Sequence, residues 1–148
     1  MYIGSFLAPL GTSVRDLNPD APEPWKSGLP GEYFPPLPEA FAPMIFNDFP
    51  PEEDPRRFAA LTRHSSDSYS GKLSYEAYKY IPSVQIIPGN DVIVPVPLQE
   101  EMYQKAVAAG AKVKRVFVEG AGHAVNASRT ELVVDEMVSL VKEVSGTA

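Results

Sequence analysis

The sequence contains no cysteine. That absence excludes a disulfide scaffold, a thiolate nucleophile and thiolate metal sites, and it fits a reducing, cytoplasmic compartment. Histidine is scarce too: His64 and His123 are the only two, and without a close carboxylate pattern they make no metal motif. No stretch approaches the roughly 18 consecutive apolar residues that would mark a membrane-spanning helix. Lysine and arginine number 13 against 19 aspartates and glutamates and form no block. Neither nucleic acid nor an anionic membrane is therefore expected as a partner. The apolar start, Met1-Tyr2-Ile3-Gly4-Ser5-Phe6-Leu7-Ala8, lacks the basic leader of a secretory signal. It reads as a buried strand beginning at the first residue, which implies a preceding segment.

What is present is a chain of 148 residues, long enough for one domain with a real core and too short for two ordinary ones. Its 44% hydrophobic and 22% charged residues are the balance of a soluble globular protein. The 16 prolines are about twice the usual share, and they divide the chain into three zones. Residues 1–11 are the apolar strand, closed by Pro9 and Gly11. Residues 12–80 hold most of the prolines together with Trp25, Tyr33, Phe34, Phe41, Phe46 and Phe49. Proline at that density forbids long helices and central strands, while aromatics argue against disorder. The zone reads as a compact, loop-rich insertion, with short helices over residues 55–63 and 74–80.

Residues 81–148 change character. Residues 83–87 form a short β-branched run ending at Pro88-Gly89, as a buried strand does. Pro97 stands where a first helical residue would, and Leu98, Met102, Ala106 and Val107 recur at helical spacing up to Gly110. A second strand spans residues 112–119. A last helix begins at the capping box Ser128-x-x-Glu131, with an apolar stripe of Leu132, Val133, Met137, Leu140, Val141 and Val144. Strand, helix, strand, helix in so short a span predicts an α/β fold with a parallel sheet.

In such sheets the chemistry collects on loops beyond the carboxyl ends of the strands. Two loops qualify. One places Asp91 just after the first of these strands, and the other places His123 just after the second. A buried carboxylate fixes one imidazole nitrogen as donor and stabilises the imidazolium, while the other nitrogen takes a proton from a nucleophile. Asp91 would orient and His123 would be the general base. Each has an ordinary reading alone: aspartate favours turns, and a histidine in a glycine-rich loop is more often structural. Their pairing, order and strand context favour the catalytic one.

Gly89-Asn90-Asp91-Val92-Ile93-Val94-Pro95 resembles the acid loop of α/β-hydrolases, and Gly120-Ala121-Gly122-His123 resembles their histidine loop. Ile3-Gly4-Ser5-Phe6-Leu7-Ala8-Pro9 is similar to the strand entering a cap domain, and Tyr78-Lys79-Tyr80-Ile81-Pro82-Ser83-Val84 to the return from it. The resemblance covers nearly the whole chain and is closest to small-ester esterases, methylesterases and hydroxynitrile lyases. It implies the C-terminal half of that fold, with residues 12–80 as cap and residues 81–148 as α/β core.

The family's nucleophile sits at G-x-S-x-G and precedes the acid and the histidine. That motif is absent. The nearest string, Gly11-Thr12-Ser13-Val14-Arg15, lacks the second glycine and runs into a proline-rich loop. Ser5 lies within a strand, and Ser65, Ser66 and Ser68 lie in the cap. The oxyanion donors would also come from segments not represented here, so no triad turnover is expected of this chain alone. His64 could reach the pocket from the cap, but a solvated or packing role is the plainer reading. Asn126-Ala127-Ser128 matches a glycosylation acceptor and reads instead as a loop entering a helix. The cap aromatics suit either the roof of an apolar pocket or the cap's own core.

Three functions follow. The chain is part of a hydrolase whose complete parent cleaves a small, apolar carboxylic ester; or half of a split enzyme completed by an N-terminal-half chain; or a non-catalytic binding or homodimerisation module. None implies a cofactor. An α/β core without its neighbouring strands would leave a sheet edge and helix faces uncovered, which predicts association.

Overall fold

The computed structural model describes residues 1–21, 31–34 and 38–146. They form two compact units, Met1–Leu7 with Ala77–Ala148, and Ala8–Glu76. The first unit is a partial α/β fold around a parallel sheet of order β1-β2-β3. Its strands are β1 (Tyr2–Ile3), β2 (Ser83–Pro88) and β3 (Val113–Val118). Tyr2 stands opposite Gln85, and β2 runs in register with β3 from Ser83 opposite Val113 to Pro88 opposite Val118. Every residue of β2 is buried, as expected of a central parallel strand covered on both faces.

Alternation along β2 sends its side chains to two different layers. Val84 and Ile86 join Val118, Ala121, Val125 and Val133 in a core that Ile3, Val116, Leu132 and Leu140 flank. Gln85 points the other way, and its Nε2 donates to the Gln99 carbonyl at 3.4 Å. Helix α5 (Val96–Ala108) covers that second face. The first is covered by the short helix α6 (Val125–Ser128) and by α7 (Thr130–Ser145).

Several expectations require correction. The apolar N-terminal run is not one buried strand. β1 holds two half-buried residues, and Gly4 turns the chain away with φ +48°, its N–H donating to the Ile86 carbonyl at 3.0 Å. Pro97 is the second helical residue, because the extended Pro95 (ψ 136°) is the N-cap. The Ser128–Glu131 capping box does not form. Ser128 closes α6, its N–H bonded to the Ala124 carbonyl, so Arg129 becomes the N-cap of α7 and makes no side-chain cap bond. Thr130 Oγ1 instead donates to the Asn126 carbonyl. Asn126 therefore lies within α6 and not in a loop. The stripe of α7 is only partly covered: Val133 is buried, Leu132 and Leu140 are half-buried, and Met137, Val141 and Val144 are exposed.

The second unit is built from single turns: α1 (Val14–Leu17), α2 (Ala42–Ile45), α3 (Asp54–Ala59) and α4 (Asp67–Ser70). Its ends are tied by Gly11 N–H to the Leu73 carbonyl and Leu73 N–H to the Thr12 carbonyl, both 2.8 Å. A bridge pairs Tyr33 with Ser65. Ser13 does not enter a loop, as expected above. It caps α1 in a capping box, accepting from Asp16 N–H while the Asp16 carboxylate accepts from Ser13 N–H. These bonds hold the Asp16 carboxyl below its ordinary range. The helix expected over residues 55–63 is Asp54–Ala59, closed when Ala60 N–H bonds the Arg57 carbonyl in a tighter turn. Over residues 74–80 there is only a 3₁₀ turn, Ala77–Lys79, in the first unit. The aromatics pack on one another: Phe34 meets Tyr69 edge-on with ring centres 4.9 Å apart, and Phe46 meets Phe49 likewise at 6.1 Å. Those rings supply a core for this unit. Trp25 lies outside the described residues.

Candidate active site

Pro88 ends β2 and Val118 ends β3, opposite one another in the register. The two loops leaving this edge are tied together by backbone bonds. Gly89 N–H donates to the Val118 carbonyl at 2.8 Å, and Asn90 N–H to the Ala121 carbonyl at 2.9 Å. The approach at Gly89 is close enough that a side chain there would force its neighbours to shift. A Cβ there would lie 2.8 Å from Phe117 Cζ and 3.1 Å from the Val118 carbonyl oxygen. Lacking a Cβ, glycine lets the acid loop cross the end of β3.

This crossing brings Asp91 and His123 together. His123 Nδ1 is 3.1 Å from each carboxylate oxygen of Asp91. The Asp91 side chain is 0% exposed and that of His123 is 28% exposed. A buried carboxylate is tolerated only when its oxygens are hydrogen-bonded, and here they are. Oδ1 accepts from the backbone N–H groups of Ile93 and Val94, both at 2.9 Å, and Oδ2 accepts from Gln99 Nε2 at 3.1 Å. The backbone pair is an Asx-type turn, so the ordinary role of Asp91 and its contact with His123 coexist in one carboxyl group. Because a carboxylate only accepts, Nδ1 carries the proton in this contact. Nε2 makes no hydrogen bond to a described residue.

Two residues at this site had not been singled out in the sequence. Gly4 brings the end of β1 against the pair: a Cβ on it would lie 3.2 Å from Asp91 Oδ2 and 3.5 Å from His123 Nδ1. A glycine interrupting an apolar strand is itself a signal of close backbone approach. Gln99 is wholly buried on α5. At helical spacing it lies next to the apolar Leu98 and reads as a polar flank, so nothing local announces its burial.

Ser65, Ser66, Ser68 and His64 belong to the second unit. Ser66 is fully buried, and its Oγ donates to the Glu32 carbonyl at 3.0 Å. Ser65 Oγ accepts from Asp67 N–H. Ser68 Oγ is 2.7 Å from His64 Nδ1 but 2.6 Å from the Ser65 carbonyl. One hydroxyl hydrogen cannot serve both acceptors. With the carbonyl taking it, His64 becomes the donor and leaves Ser68 unactivated. His64 is exposed, edge-on to Tyr69, and has no carboxylate partner among the described residues. Ser5 is half-buried just beyond Gly4.

No curated protein matches the chain. Residues 2–136 match the family model described as Alpha/beta hydrolase family, a span that takes in β1, β2, β3, Asp91 and His123. With most of its length inside that match, the chain belongs to the alpha/beta hydrolase family.

Proposed function

We propose that this chain carries the acid and base of a serine-hydrolase triad, with the serine supplied by a segment outside the present sequence. The observation that carries this reading is the contact of His123 Nδ1 with both oxygens of a fully buried Asp91. In the proposed reaction His123 Nε2 takes the proton of the attacking serine hydroxyl as its oxygen bonds to the ester carbonyl carbon. Asp91 steadies the imidazolium so formed, and Nε2 returns the proton to the leaving alkoxide as the C–O bond breaks. Water then cleaves the acyl-enzyme by the same proton path. The substrate is a small, apolar carboxylic ester, which accords with the branch of the family whose loops these resemble. Residues 12–80, most of them within the unit Ala8–Glu76, serve as the cap. The reaction calls for no cofactor.

The test has two arms. The 148-residue chain should hydrolyse p-nitrophenyl acetate no faster than its His123→Ala variant. Turnover lost on that substitution would place the nucleophile within this chain and overturn the assignment. Nitrogen NMR of the imidazole should find the neutral ring protonated at Nδ1, and the Nε2–H tautomer would remove His123 as base.

One feature favours a second reading, in which the chain acts within an assembly. Val134, Met137, Val138, Val141 and Val144 are all exposed along α7, at the three- and four-residue spacing of a single helix face. A second copy, or a chain bearing the serine, would cover it. Sedimentation velocity decides: a dimer supports this reading, and a monomer that melts sharply opposes it.

A further inference from the structure

We infer that Gln99 is a positioning residue, holding the Asp91 carboxylate in the orientation that engages His123; this rests on reading that pair as acid and base. Gln99 is the only side chain of α5 that bonds the pair, and its burial is complete. Its amide group forks. Nε2 donates to Asp91 Oδ2 at 3.1 Å and to the Val94 carbonyl at 2.7 Å. Both partners are acceptors, so the nitrogen must face them and the amide cannot be turned over without losing both bonds. The orientation leaves Oε1 of Gln99 buried with no protein donor. An apolar residue of the same length would escape that cost, so what the position gains is the forked donor.

The fork has a mechanical consequence. The terminal torsion of an aspartate is broad and weakly held. In Asp91 the two backbone donors from Ile93 and Val94 act on Oδ1 alone, which leaves the carboxylate free to swing about that anchor. Gln99 holds the second oxygen. With both fixed, Nδ1 sits equidistant from them at 3.1 Å. Through Val94 the same amide also ties the acid loop to the first turns of α5. A change in that helix is thereby felt at the carboxylate.

The variant Gln99→Met keeps the volume and removes the donor, and Gln99→Asn keeps an amide one methylene too short to reach. Each is compared with the parent chain and with Asp91→Asn by nitrogen NMR of the His123 imidazole, with melting temperature measured separately. Both Gln99 variants should show a smaller Nδ1–H population and an Nδ1 proton exchanging about tenfold faster, the worth of one hydrogen bond to a charged group. Adding either to Asp91→Asn should change nothing further. A Gln99 variant that melts lower yet leaves the His123 tautomer and exchange at parent values would overturn the inference and leave Gln99 a packing residue. If Asp91→Asn also leaves His123 unchanged, the acid–base reading itself has failed.

Discussion

Helices α5 and α7 lie against opposite faces of one three-stranded sheet, and they use their sequences in contrary ways. α7 has the cleaner apolar stripe, yet it buries only Val133 and exposes Val134, Met137, Val138, Val141 and Val144. α5 has the weaker stripe, yet it buries Met102, Ala106 and the polar Gln99. Amphipathic spacing shows which residues a helix is able to bury together. Which of them are buried depends on what stands opposite. α5 faces β2 and the acid loop, whose carboxylate needs donors, and so its most buried side chain is an amide. α7 faces the core of Val84, Ile86 and Val118, and five of its apolar residues are exposed among the described residues.

The sharpest way to break this comparison is to truncate one methionine on each helix. Met102 is 3% exposed and Met137 is 48% exposed. Met102→Ala should cost about 2–5 kcal/mol, as burial and a cavity dictate, whereas Met137→Ala should stay within roughly 0.5 kcal/mol. Urea denaturation at low protein concentration measures both. Comparable losses would show that something covers α7 in solution, and a concentration-dependent midpoint would identify it as a second copy.

A change between the two helices comes next in size. Gly4→Ala places a Cβ on a residue with φ +48° and sets it 3.2 Å from Asp91 Oδ2. The left-handed conformation alone costs about 1–2 kcal/mol, and the Asp91 carboxylate and the His123 carbonyl, which a Cβ would meet at 3.2 and 3.3 Å, must yield as well. Stability should fall by that order and the His123 imidazole resonances should shift, while the environments of Met102 and Met137 stay as they are. Unchanged His123 resonances would mean that the chain around Gly4 relaxes away from the pair.

Placing lysine on the exposed stripe should have a smaller effect on stability. Val138→Lys with Val141→Lys should alter the unfolding free energy by less than about 0.5 kcal/mol per site. If the stripe is a contact between copies, sedimentation should shift fully to monomer. A dimer that survives both lysines lies on another surface.

The parts of this fold legible in the sequence are those set by near neighbours. β2 and β3 announce themselves because β-branched runs end at Pro88-Gly89 and at Gly120, and α5 because its apolar residues recur up to Gly110. Their order places Asp91 and His123 on one sheet edge by topology alone. What was not legible depends on partners distant in sequence. Gly4 looks like strand until the chain from Asp91 to His123 is folded over it. Gln99 looks solvated until the acid loop, eight residues earlier, turns back onto it. The Ser128–Glu131 pair satisfied a local rule and lost to α6, which took the Ser128 N–H first. Even the exposure of α7 is a non-local fact: it records what the rest of the sheet does not supply.

The two helices also differ in how they are tied to β3, and this sets the smallest effect. Arg115 bonds Glu100 of α5 through both Nε, at 2.9 and 3.0 Å, and Nη2. Lys114 bonds Glu136 of α7 through Nζ alone at 2.6 Å. The bond to Glu100 raises the Arg115 guanidinium above its ordinary range. Both pairs are partly exposed at the surface, where an ion pair is worth about 0.2–1 kcal/mol. A guanidinium fork loses less freedom per bond than a single ammonium contact, so Glu100→Gln should cost more than Glu136→Gln, with both inside that range. The gap between the two should close in about 1 M salt, where screening reaches about 3 Å. If Glu136→Gln proves the costlier, the single ammonium contact on α7 is worth more than the guanidinium fork on α5, and the entropy argument does not hold for this sheet.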